Sequence, residues 1–159
     1  MKRISLLIWL MALASAGTSV AQDGNPAIER FKEGIRKADA WMKEQEKVTE
    51  KNPLLGLVLS RTMVVKLREV PTEGLPADLK GAYDAYVTAT AQMAEIFAGW
   101  PETEKELTEY LQKRVAEDPQ VMDKVSEKMD AWGKVSEPVR AQLQEVAKKY
   151  GLQSIVELF

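Results

Sequence analysis

The sequence predicts an all-α, single-domain helical bundle of about six helices, and three observations carry that reading. Apolar residues recur at spacings of three and four along most of the chain, the period of a helix face. Asn25-Pro26, Asn52-Pro53, Gly99-Trp100-Pro101 and Asp118-Pro119 punctuate that pattern where helices stop and start. One run alone, residues 57–67, alternates loosely enough for a strand, and no second run offers it a partner.

The first stretch has a different character. Lys2 and Arg3 form a basic lead, Ile4 to Ala14 a short apolar run, and Ser19-Val20-Ala21 the small residues that a signal peptidase reads. The expected organisation is a secretory signal peptide over 1–21 and a helical domain over 22–159. The mature protein is then periplasmic or secreted through a Sec-type route, with no membrane span once the signal is cleaved.

The first helix is expected from about Pro26 to Lys51, with Asn25 as its cap and proline at the first position. Ile28, Phe31, Ile35, Ala38, Met42 and Val48 mark its inner stripe, with Trp41 beside it. The other face mixes both charges, and Glu33–Lys37 and Asp39–Lys43 are favourable pairs one turn apart. Asn52-Pro53 ends this helix and begins the next with almost no loop.

Residues 53–69 hold the most apolar stretch of the mature chain. It is too short for a membrane span, and Arg61 interrupts it. A rotation of 100° per residue scatters its leucines, valines and Met63 around most of the circumference, which predicts a buried helix at the centre of the bundle. Arg61 and Arg68 fall on one side of it. They either reach a carboxylate, with Asp84 and Glu95 as the candidates, or hold an anionic group in a groove.

Val70 to Pro76 reads as a loop, and a third helix follows over about 77–98. Leu79, Tyr83, Tyr86, Thr90, Met93 and Phe97 mark one stripe of it. Ala82, Ala85 and Ala89 run beside that stripe and admit a close neighbour. A fourth helix is expected over about 102–117, its first turns rich in glutamates that complement the helix dipole. Asp118-Pro119 opens a fifth that stops at Gly133. Ser136 caps a sixth that stops at Gly151, and Leu152 to Phe159 folds back as a short last helix.

Composition removes more functions than it suggests. The chain has no cysteine and no histidine. That excludes disulfides, thiol chemistry, lipid attachment at a cleavage-site cysteine, Ser-His-Asp and Cys-His catalysis, and histidine-ligated zinc, haem or di-iron. No glycine loop for phosphate and no EF-hand spacing is present. Carboxylate-only catalysis, as in glycoside hydrolysis, is the enzymatic class the inventory leaves open. Residues 23–69 hold 10 basic and 8 acidic groups and residues 70–159 hold 10 and 16, so neither half has the basic density of a nucleic-acid binder.

The expectation is therefore a non-catalytic binding or scaffold protein of the cell envelope, needing no cofactor or metal. Its partner is an unidentified protein segment or apolar ligand held between helices. Arg61, Arg68, Tyr83, Tyr86 and Met93 are the candidate binding residues. A carboxylate-dependent hydrolase and a small apolar-ligand carrier, its cavity lined by Tyr83, Tyr86 and Met93, are the alternatives.

Overall fold

Two asparagines standing before prolines fold as the N-caps their sequence predicts. Asn25 accepts a hydrogen bond from the Ala27 amide at 2.9 Å, and Asn52 from the Leu55 amide at 3.3 Å. The computed structural model describes residues 25–50 and 52–152, and every regular element among them is an α-helix. These are α1 Pro26–Thr49, α2 Pro53–Val58, α3 Ser60–Arg68, α4 Ala77–Ile96, α5 Glu104–Glu117 and α6 Val121–Lys149. Among the described residues no helix is long and apolar enough to cross a membrane. The expected signal peptide at 1–21 and all of the expected last helix beyond Leu152 lie outside the described residues.

The described residues form six helices, as expected, but they divide differently. The predicted central helix over 53–69 is in two pieces. Leu59 sits at φ −65° and ψ −8°, away from the ordinary helical ψ, and forms a turn between the two pieces. The turn lets α2 and α3 lie against α1 while α3 also lies against α4. Nor is this segment buried all round: Leu55, Val58, Ser60, Val64 and Leu67 face inward, while Val65 is half exposed. The central position belongs instead to α4, which packs on α3 along one side and α6 along the other.

The predicted fifth and sixth helices are one. Helix α6 continues without a break through Gly133, Ser136 and Pro138. Pro138 removes the amide that would pair with the Lys134 carbonyl, and both residues are exposed, so that carbonyl faces solvent rather than apolar core. Packing along α4 outweighs the local stop signals. Trp132 donates its indole N–H to the Ala89 carbonyl of α4 at 2.7 Å, just where the break was expected. The true end is at Gly151, at φ +67°, where the Gly151 and Leu152 amides bond to the Lys148 and Ala147 carbonyls.

Two apolar clusters hold these helices together. One gathers Phe31 and Ile35 of α1, Leu67 of α3, Leu79 and Tyr83 of α4, and Leu143 and Ala147 of α6. The other gathers Leu55 and Val58 of α2, Met93 and Phe97 at the end of α4, Trp100, and Leu107 of α5. Met63 of α3 packs against both. Helix α4 supplies residues to each and so spans the molecule.

Candidate binding groove

Between the two clusters, α4 and α6 carry stripes that do not fill the space between them. On α6 the stripe is Gly133, Ser136, Glu137, Arg140, Ala141 and Gln144, at helical spacings of three, one, three, one and three. On α4 it is Tyr86, Ala89, Thr90 and Met93. Glycine, serine and alanine on α6 are too short to fill the space against α4, unlike Leu143 and Val146 further along, which are buried in the first cluster. The result is an open groove of ≈ 490 Å³, which Met63 of α3 and Trp132 also line.

Its floor is apolar and its rim polar. Thr90 is buried and returns its hydroxyl to the Tyr86 carbonyl at 2.9 Å, so it presents its methyl group without a loose donor. Tyr86 is half-buried. Burial pushes its phenol up to about 12, against the downward pull of the Thr90 hydroxyl and the Arg140 guanidinium. Glu137, Arg140 and Gln144 stand along the α6 edge, where water reaches them.

Of the five residues singled out from sequence, the structure brings Tyr86 and Met93 together in this groove. Tyr83 lies elsewhere. It is buried in the first cluster, edge-on to Phe31 with ring centres 5.0 Å apart, and donates its hydroxyl to the Leu67 carbonyl at 2.7 Å. Burial, with Tyr86 and Asp84 adding to it, holds its phenol well above the ordinary tyrosine range. Its role is to fasten α3 to α4.

Arg61 meets neither Asp84 nor Glu95. Its guanidinium donates to the Trp100 carbonyl at 2.8 Å and to Glu102 at 2.8 Å, tying α3 to the turn before α5. Asp84 pairs with Lys80 on its own helix. Arg68 is exposed and has no ion pair among the described residues. The two arginines thus share no groove.

A larger concavity, ≈ 730 Å³, runs along the outer side of α1 by Lys66, Glu69 and Pro71. Its charges answer one another: Lys37 pairs with Glu33 and Lys66 with Glu69. It joins Glu33 and Lys37 of the charged face expected for α1 to Ala38 and Trp41 of the expected inner stripe. Among the described residues no cluster of three or more carboxylates is placed to hold a metal ion. No protein family, curated protein or solved structure matches the chain.

Sequence reasoning missed most of the α6 wall. Its periodic stripe begins at Gly133 and is visible only when residues 121–149 are read as one helix. Taking Gly133 as a stop and Ser136 as a cap cut the stripe before its second member.

Proposed function

We propose that this chain is an exported, non-catalytic binding protein of the cell envelope that takes an apolar ligand into the groove between α3, α4 and α6. The observation that carries the reading is the groove itself. A few hundred Å³ with an apolar floor and a few polar groups at one edge is the usual form of a small-ligand site. The export half of the reading rests on the Lys2-Arg3 lead, the apolar run after it and the small residues at 19–21.

The alternatives have less support. Glu137 is the sole carboxylate among the described residues lining the groove, whereas carboxylate-only hydrolysis needs two converging. The exposed large apolar side chains Val65, Val115, Met122 and Val135 are spread over three helices, which favours a groove over a surface patch.

Titration with the neutral fluorescent probe N-phenylnaphthylamine tests the proposal. Saturable binding is expected, with energy transfer from Trp132. Ala141→Trp, placed at the exposed edge, should fill the groove and weaken binding at least tenfold while leaving the circular dichroism spectrum unchanged. Absence of saturable binding, or equal binding by the variant, would overturn it.

A further inference from the structure

The groove has a neighbour. A smaller hollow of ≈ 150 Å³ opens between the second half of α1 and the α2–α3 turn, lined by Trp41, Met42, Gln45 and Leu59 and again by Met63 and Met93. The two methionines therefore stand as a common wall between groove and hollow. Methionine is unbranched and rotates at low cost, so this wall can part for an inserted chain, which then takes over the contacts that Met93 makes in the second cluster and Met63 in both. Joined in this way, the two spaces suit a long, narrow apolar group better than a compact one.

The opposite end of the groove is charged in a particular way. Glu137 and Arg140 stand one turn apart on the same stripe of α6, and neither has an ion pair among the described residues. A purely anionic head group would meet Arg140 favourably and Glu137 unfavourably. A purely cationic one would do the reverse. A head carrying both signs satisfies each, and guanidinium matches phosphate in its fork of donors.

We infer that the ligand is a single-chain amphiphile with a zwitterionic head, of the lysophospholipid type. Its phosphate lies on Arg140, its ammonium group on Glu137, and its acyl chain crosses Met63 and Met93 into the smaller hollow. The inference rests on the binding reading above and names the ligand class for that site.

Calorimetric titration with monomeric myristoyl lysophosphatidylethanolamine should show saturable binding, at least tenfold tighter than myristate or a myristyl trimethylammonium salt. Arg140→Gln should abolish the preference over the cationic amphiphile, and Glu137→Gln the preference over myristate. Gln45→Trp, which fills the hollow from α1, should weaken the myristoyl lipid and spare its octanoyl homologue. In the unaltered protein each methylene removed should cost roughly fourfold in affinity. Equal affinity for the three head groups, or charge variants that leave the preferences intact, would overturn the inference. Binding of the naphthylamine probe without binding of any amphiphile would sink the ligand class alone. Failure of both would sink the binding reading with it.

Discussion

Gly34 and Gly81 are both helical glycines, and their surroundings predict opposite responses to alanine. A Cβ on Gly34 of α1 would come within 2.7 Å of the Pro71 ring and 3.2 Å of the Val70 backbone. Neither is the free end of a flexible chain, so the loop after α3 must move. Overpacking of this kind typically costs about 1–3 kcal/mol, more than the ~1 kcal/mol that alanine gains over glycine in a helix. A Cβ on Gly81 of α4 would meet nothing, and there only the helix gain applies. Gly34→Ala should therefore lower the urea midpoint and Gly81→Ala raise it, the second by up to ~1 kcal/mol. A shift in the same direction for both would show that the loop at 70–71 yields freely to α1. The sequence marks the Val70–Pro76 loop plainly, but which helix it closes upon is a tertiary fact. The same limit applies to Arg61, whose charge and position are legible while its partner, Glu102, lies 41 positions away in a turn that no periodicity links to it.

At the scale of the element, the starts of helices were more legible than their interruptions. Asn25, Asn52 and the prolines after them act within one turn, so local chemistry decides the outcome. Thr103 with Glu106 is a capping pair of the same kind: the Thr103 hydroxyl receives the Glu106 amide at 3.4 Å and donates to its carboxylate at 2.6 Å. Gly133 and Pro138 are also local signals, yet α4 holds α6 along its length and overrides them. That misread stop divided one long helix and hid the groove stripe, while Tyr86 and Met93 remained visible because α4 is uninterrupted. If Pro138 is tolerated rather than required, Pro138→Ala restores the missing helical hydrogen bond at an exposed position. Helical proline costs up to ~3 kcal/mol relative to alanine, and the substitution should stabilise the protein by about 1–3 kcal/mol. Thermal unfolding followed by circular dichroism measures this directly. A loss of stability would mean that a bend at Pro138 is needed to seat α6 on both clusters.

At the scale of the whole molecule, α4 decides how the protein fails. It passes through both apolar clusters, and Met63 touches each of them, so losing the grip of α4 at one end releases the other. Two tyrosines on α4 make that coupling sensitive to alkali. Burial raises the Tyr83 and Tyr86 phenols above their unfolded value of 10.0, Tyr86 to about 12. Below pH 10 both states keep the proton and stability is complete. Above it the unfolded chain ionises first, and each tyrosine withdraws about 1.4 kcal/mol per pH unit until its folded pKa is passed. The urea midpoint should hold steady from pH 8 to near 10 and then fall steeply. Tryptophan fluorescence, which reports Trp41 on α1, Trp100 in the second cluster and Trp132 packed against that cluster, should move together with far-ultraviolet circular dichroism throughout. Tyr83→Phe loses the bond to the Leu67 carbonyl and should cost about 1 kcal/mol at pH 8. It should nevertheless show the shallower decline between pH 10 and 11, because one of the two proton-linked groups is gone. Parallel declines for the two proteins would show that Tyr83 adds nothing to the alkaline sensitivity, and separated optical transitions would show that the clusters unfold independently.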